Sequence, residues 1–86
     1  MVQVSTFFGI IVSMYYKDHN PPHFHAEYQG KEIRIHIQTL EIIKGKLSPK
    51  ATAIIMEWAV LHQTELMHNR ENARTEGKID KIAPLE

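Results

Sequence analysis

The stretch FHAEYQGKEIRIHI, residues 24–37, decides the fold that the sequence predicts. Its second half alternates apolar with polar residues, which is typical of a strand with one buried face. Gln29 and Gly30 separate the two halves, and glycine adopts the positive φ angles of tight hairpin turns without strain. The stretch therefore predicts two antiparallel strands joined by a short turn.

A turn centred on Gln29 and Gly30 also fixes which residues face each other across this hairpin. One face is then apolar and pairs Ala26 with Ile33 and Phe24 with Ile35. The other face is polar and pairs Glu27 with Glu32, His25 with Arg34, and His23 with His36. The like charges of the two glutamates oppose this register. A slip of one residue would cost more, because it would mix apolar and polar residues on both faces.

The segments on either side of this hairpin predict further strands. Residues 8–16 are mostly apolar, and both alternating sets contain β-branched or aromatic residues, so we expect a strand covered on both faces. The pair Pro21-Pro22 predicts a stiff loop after it. Residues 41–47, with a bend at Gly45, predict one more short strand. Residues 1–47 are thus predicted to form an antiparallel sheet of three to four strands.

One long helix is predicted to follow the sheet. Ser48 is a typical N-cap, Pro49 suits the first helical position, and Gly77 supplies a C-terminal stop. The helix then covers residues 48–77, its charged end from residue 70 to 76 is solvated, and the tail, residues 78–86, packs back on the domain. The expected fold is α+β, one domain over residues 1–86. An apolar stripe at helical spacing covers the sheet: Ala51, Ile54, Ile55, Trp58, Leu61, His62 and Leu66.

A second apolar line on the opposite side of this helix predicts an interface. It consists of Ala53, Met56, Val60 and Met67. A solvated helical face would not have this pattern. A straight helix of this length would also measure about 40 Å, longer than so small a domain is wide. We therefore expect a homo-oligomer, such as a homodimer, or a complex with a cognate small protein.

The composition excludes several classes of protein. The chain has 86 residues, no cysteine, six histidines, and ten basic against ten acidic residues. It is too short for a multidomain enzyme, and it has neither disulfides nor thiolate metal ligands. Its zero net charge does not indicate nucleic-acid binding, although a local basic stripe would be compatible with it. The longest apolar run, residues 7–16, is too short to cross a bilayer, so we expect a cytoplasmic protein without a membrane partner.

The histidines allow three interpretations. His23 and His25 share one face of a strand, His36 faces His23, and Asp18 and His19 lie just upstream. No cofactor is predicted unless these five residues supply ligands for a divalent metal such as zinc. Alternatively, His23 and His36 are catalytic as general base and acid, while Arg34 or His25 steadies a phosphate. In the third interpretation the histidines hold the proline loop by hydrogen bonds to backbone carbonyls.

Three segments carry a resemblance to a known family. They are FGII through MYY at residues 8–16, DHNPPHFH at residues 18–25, and EWA with the later LH and IAPL at residues 57–62 and 82–85. The chain resembles the prokaryotic domain-of-unknown-function family 4160 over nearly its whole length, and DHNPPHFH is the specific motif. The resemblance implies a small α+β protein suspected of belonging to toxin–antitoxin-like gene pairs. It implies no reaction and no catalytic residues.

These observations lead to two functional hypotheses. The first is a non-enzymatic protein-binding module that forms one half of a two-component, toxin–antitoxin-like pair. The alternative is a His-dependent ribonuclease or a metal-dependent hydrolase that uses the face formed by His23, His25 and His36.

Overall fold

A computed structural model describes residues 1–86. Five strands form one antiparallel sheet in the order β1-β2-β3-β4-β5, and a helical segment follows it. The strands are β1 (Val2–Phe7), β2 (Ile10–Met14), β3 (His23–Tyr28), β4 (Lys31–His36) and β5 (Ile42–Gly45), and the helical segment is Pro49–Arg74. The α+β class is thus correct, but the predicted number of three to four strands is wrong.

The additional strand is β1, which precedes the predicted strand at residues 8–16. Residues 8–16 do not form one strand, because Phe8 and Gly9 have φ angles of 50° and 79° and make a tight turn between β1 and β2. Two consecutive positive φ angles are the geometry of a two-residue hairpin turn, and glycine favours the second position. The predicted strand therefore begins later, at Ile10, and Gly9 is the sequence signal of the turn that joins it to β1.

The central hairpin has the predicted register. β3 and β4 pair Phe24 with Ile35, Ala26 with Ile33, and His23 with His36. The bend at Gly45 is also present, with a φ of 88° and a register shift between β4 and β5. A Cβ atom at Gly45 would lie 2.2 Å from the carbonyl oxygen of Glu32, so β5 can approach β4 here only because this residue is glycine.

The prediction of one long helix is wrong, because Pro49–Arg74 consists of two helices. We call them α1, residues 49–61, and α2, residues 63–74. They meet at His62, whose φ of −126° and ψ of 20° are not helical. A straight helix of 26 residues would be about 39 Å long. The longest dimension of the whole chain is only 34 Å, so the break keeps α2 on the sheet. Ser48 caps α1 as predicted, since its hydroxyl accepts a hydrogen bond from the amide of Ala51 at 3.2 Å.

The break also changes the two apolar faces predicted for the helix. Leu61, expected on the sheet-facing stripe, is 65% exposed, and Val60 beside it is 60% exposed. Met56 and Met67, expected at an interface, are partly buried and pack against the core. Ala53 is exposed. The helix-length argument for a partner therefore no longer holds, whereas the oligomeric state itself stays a prediction.

The core lies between one face of the sheet and the helices. Trp58 is fully buried at its centre, and its ring packs against Phe7 and Phe24. The C-terminal tail packs back as predicted, because the indole NH of Trp58 donates to the carbonyl of Ala83 at 2.8 Å and the amide of Ile82 donates to Val4 at 2.8 Å. The other face of the sheet carries His23 and His25. No helix of the chain has the length and apolarity that crossing a bilayer requires.

Candidate metal centre

Two histidines on β3 and one aspartate from the preceding loop form a buried cluster. His23 and His25 are two residues apart on a strand, so they project from the same face of the sheet, the face opposite the helices. Their side chains are 3% and 9% exposed. Asp18 belongs to the loop between β2 and β3, which folds back so that its carboxylate, 18% exposed, covers both imidazoles.

The three side chains converge on one point. Asp18 Oδ2 lies 3.0 Å from His23 Nε2 and 3.1 Å from His25 Nε2. The centroids of the two imidazole rings are 5.0 Å apart. One ligating atom from each residue falls within 4.8 Å of the other two, which makes these residues a candidate group for holding a single ion.

The second ring nitrogen of each histidine, Nδ1, already makes a hydrogen bond. His23 Nδ1 donates to the carbonyl oxygen of Pro21 at 2.8 Å, and His25 Nδ1 donates to Glu32 Oε1 at 2.6 Å. A carbonyl or an ionised carboxylate can only accept, so each Nδ1 carries the hydrogen. In a neutral imidazole the Nε2 atom then carries a lone pair. That of His25 is aligned with Asp18 Oδ2, whereas His23 Nε2 lies 3.0 Å from the same oxygen without hydrogen-bond alignment.

This arrangement requires additional positive charge. Two lone pairs 3.0–3.1 Å from a carboxylate oxygen repel it unless something positive lies between them. Two further protons, one on each imidazole, would satisfy the contacts, and so would one divalent cation bound by all three atoms. His23 Nε2 shows the problem directly, because it is buried and makes no hydrogen bond, although Asp18 is its neighbour.

Asp18 is held in the ionised form that a metal ligand needs. Burial by itself would raise the pKa of Asp18, but with both imidazoles protonated the hydrogen bond from His25 and the charge of His23 outweigh it, so the pKa lies below its ordinary value of 3.8. The second carboxylate oxygen, Oδ1, accepts a hydrogen bond from the backbone NH of His19 at 3.0 Å. That bond leaves Oδ2 for the two imidazoles.

Arg70 is a residue of this site that sequence reasoning missed. It was placed on a solvated helical end, yet it is only 4% exposed. Its Nη1 donates to the backbone carbonyl of Asp18 at 2.7 Å, and its Nη2 donates to Asn20 Oδ1 at 2.7 Å. The residue lies 52 positions from Asp18 in the sequence, and no local pattern links the two.

The family model described as "Domain of unknown function (DUF4160)" matches residues 9–70. The chain belongs to this family. The match contains the whole cluster and Arg70. Neither the curated proteins nor the solved structures gave a match. The family description names no activity, so the chemistry of this DUF4160 member has to be argued from the cluster itself.

The remaining candidates from the sequence lie outside the convergent group. His36 faces His23 across the hairpin, but its Nδ1 accepts from the backbone amides of Gln38 at 3.1 Å and Thr39 at 3.4 Å, which stabilises the turn after β4. His19 is largely exposed, with its ring 5.7 Å from that of His23. Arg34 Nε lies 3.9 Å from Glu32 Oε1 and so contacts the partner of His25 and not the cluster.

The surroundings of His25 leave room for a small molecule. The ring of Tyr15 lies 4.4 Å from that of His25 and shields one side of it. Beside this pair is a cavity of about 50 Å³ that Ser13, Glu27 and Glu32 also line. A cavity of this size holds a water molecule or a small ligand group.

Proposed function

We propose that this DUF4160 protein binds a divalent transition-metal ion, zinc in the first place, through Asp18 Oδ2, His23 Nε2 and His25 Nε2. One observation carries the proposal. Two buried imidazoles, each with its Nδ1 hydrogen already donated, place their Nε2 atoms 3.0 and 3.1 Å from the same carboxylate oxygen. A single divalent cation would supply the positive charge that is missing between the carboxylate of Asp18 and the two Nε2 atoms.

The donor atoms suit zinc. Two imidazole nitrogens and one carboxylate oxygen are ordinary zinc ligands, at about 2.0–2.2 Å from the ion. Ligand atoms at that distance lie about 2.9–3.5 Å apart when they subtend about 90–110° at the ion, and 3.0 and 3.1 Å fall in this range. Two histidines with one carboxylate also form the ligand set of many Fe(II) sites, so iron is the main competitor.

The outer partners of the histidines support the same conclusion. Histidines that bind metals almost always donate their second ring NH to a carboxylate or a backbone carbonyl, which fixes the tautomer and the orientation of the ring. Here Glu32 has that role for His25, and the carbonyl of Pro21 has it for His23. The contact of His23 with Pro21 also satisfies the loop-holding interpretation, so one histidine would serve both purposes.

A hydrolytic activity would depend on the same centre. Three protein ligands leave a further position for water, and a zinc-bound water has a pKa of about 7. The metal-free ribonuclease alternative has less support, because His23 Nδ1 is bonded to the carbonyl of Pro21 and the side chain of His23 is buried.

Metal titration of the purified protein tests the proposal. After treatment with a chelator, the wild-type chain should bind one zinc or one cobalt(II) ion, measured by calorimetry and by elemental analysis. His25→Ala should lose this binding, whereas His68→Ala should retain it, because His68 is an exposed helical histidine. A wild-type chain that binds neither ion at neutral pH contradicts the proposal, and so does equal loss in both variants.

Protein recognition remains the second candidate function. We propose it in the form that the sequence predicted, a cytoplasmic module that pairs with a cognate small protein in a toxin–antitoxin-like system. Its support is the adjacent exposure of two large apolar side chains, Val60 and Leu61, at the break between the helices. Light scattering of the chain alone and mixed with the product of the neighbouring gene is the test. A strict monomer that does not bind that product contradicts it.

A further inference from the structure

We infer that Arg70 is the positioning residue that places Asp18 at the metal centre. The inference rests on the proposed metal site and adds a residue to it that contacts no ligating atom. Arg70 lies on α2, 52 positions after Asp18, and contacts the loop only through the ends of its guanidinium group.

The two contacts of Arg70 hold the loop on both sides of His19. Nη1 donates to the carbonyl of Asp18, and Nη2 donates to the side-chain oxygen of Asn20, each at 2.7 Å. The rigid fork of the guanidinium group fixes two acceptors relative to each other, which a flexible ammonium group cannot do. The carbonyl of Asp18 is thereby fixed, and with it the direction in which the carboxylate leaves the backbone.

The burial of Arg70 argues for this role and against a general role in stability. Its side chain makes no ion pair, and its Nε is buried without a hydrogen-bond partner. Burying a charge among neutral acceptors is costly, and an apolar residue of similar volume would fill the same space at lower cost. A guanidinium at this position is therefore best explained by the loop that it holds.

No other well-ordered contact links the helices to Asp18. The remaining bonds of the loop come from the amide of His19, from the rings of His23 and His25 on β3, and from the amide of Ile37, which donates to Pro22. The ion pair between Lys17 and Glu76 at 2.7 Å also reaches this loop, but both side chains are about two-thirds exposed. Exposed pairs of this kind contribute little. Asp18 thus meets β3 through its carboxylate, and Arg70 is the helical residue that fixes the backbone from which this carboxylate extends.

Two variants separate positioning from folding. Arg70→Lys keeps the charge but loses the fork, and Arg70→Met removes the buried charge while it keeps an unbranched side chain. Both should fold, as judged by circular dichroism, and both should bind cobalt(II) at least about tenfold more weakly. The visible absorption bands of bound cobalt should also change, because the carboxylate approaches the ion differently. Arg74→Lys, at an exposed arginine on the same helix, is the matched control and should match the wild type.

A measurement without metal keeps this inference separate from the proposed function. In the metal-free chain the ¹⁵N shift of His25 Nε2 reports its contact with Asp18, and it should move in Arg70→Met but not in Arg74→Lys. Unchanged imidazole shifts and unchanged cobalt affinity in both Arg70 variants would overturn the inference. If instead the shifts move while the wild-type chain binds no metal, the positioning role stands and the metal proposal fails.

Discussion

Two regions of this protein bring histidine and carboxylate together, and they do so in different ways. At the break between the helices, His62 pairs with Glu65, one imidazole with one carboxylate. At the start of β3, a single carboxylate oxygen of Asp18 faces two imidazoles, and the second nitrogen of each ring is already occupied. The contact between His62 and Glu65 needs one hydrogen, which a neutral imidazole supplies. The two contacts of Asp18 need a hydrogen on each Nε2 atom, and neutral imidazoles that carry their hydrogens on Nδ1 have none there.

The difference shows why proximity of histidine and carboxylate is a weak indicator of a metal. His62 has a free second nitrogen, a ring that packs against Trp58 at 5.2 Å, and a half-exposed partner in Glu65. Nothing in that contact is unsatisfied. In the β3 cluster the tautomers fixed by Pro21 and Glu32 leave His23 Nε2 buried without a hydrogen bond. The ring nitrogen that does not face the carboxylate therefore makes the difference. Where it already donates a hydrogen bond, the histidine is a candidate metal ligand, and where it is free, the contact is an ordinary pair of histidine and carboxylate.

The largest effect is expected for Asp18→Asn. The amide keeps the shape of the side chain but removes the negative charge that both imidazoles face, so zinc affinity should fall by at least about 100-fold, or about 2.7 kcal/mol. Competition with a chromophoric chelator measures the change. Glu65→Gln makes the same substitution in the helical pair and should leave zinc affinity unaltered. Similar losses in both variants would mean that the two regions do not differ as described.

The sequence predicted the β3 half of the cluster because that half depends on local rules. Alternation along a strand places His23 and His25 on one face, and the turn at Gly30 sets their partners across the hairpin. It also placed Asp18 among the ligand candidates, as a residue just upstream on the stiff loop. The convergence of Asp18, His23 and His25 depends on how the loop folds back, and the bonds of the two rings to Pro21 and Glu32 depend on it too, which no local pattern specifies.

The parts that sequence reasoning missed depend on contacts distant in the chain. Arg70 resembles any other charged residue near a helix end until the loop at Asp18 is placed beside it. The break at His62 has no proline or glycine to mark it, although such residues mark most sharp kinks. The two helices that meet at this break fit within a molecule 34 Å long, and the second of them carries Arg70 to the loop.

The second effect in size is stabilisation by the metal itself. A ligand that binds only the folded chain stabilises it by about 2.7 kcal/mol when present at about 100 times its dissociation constant. For a domain of this size that corresponds to a rise in melting temperature of about 10–20 °C. Calorimetry with and without zinc should show this rise in the wild type and in His62→Gln, but not in Asp18→Asn. A rise that persists in Asp18→Asn would show that zinc binds elsewhere.

A smaller effect is expected for Glu32→Gln. Glu32 does not contact the proposed ion, but it accepts the Nδ1 hydrogen of His25 and orients the ring. An amide oxygen can still accept that hydrogen, although more weakly, so zinc affinity should fall about tenfold, in the lower range found for outer partners of metal ligands. Glu27 is the matched control, since it is the exposed glutamate that faces Glu32 across the hairpin. If Glu27→Gln has an equal effect, the loss reflects surface charge and not the orientation of His25.

The smallest effect is expected for the helical pair. Glu65→Gln removes the charge that faces His62, but the glutamate is half exposed and the contact is local, so unfolding free energy should fall by less than about 1 kcal/mol. Urea denaturation of the metal-free protein measures it. A considerably larger loss would mean that the pair holds the break between α1 and α2 in place. The position of Arg70 would then depend on Glu65, and the same variant should also weaken cobalt binding, which makes the two regions one coupled unit.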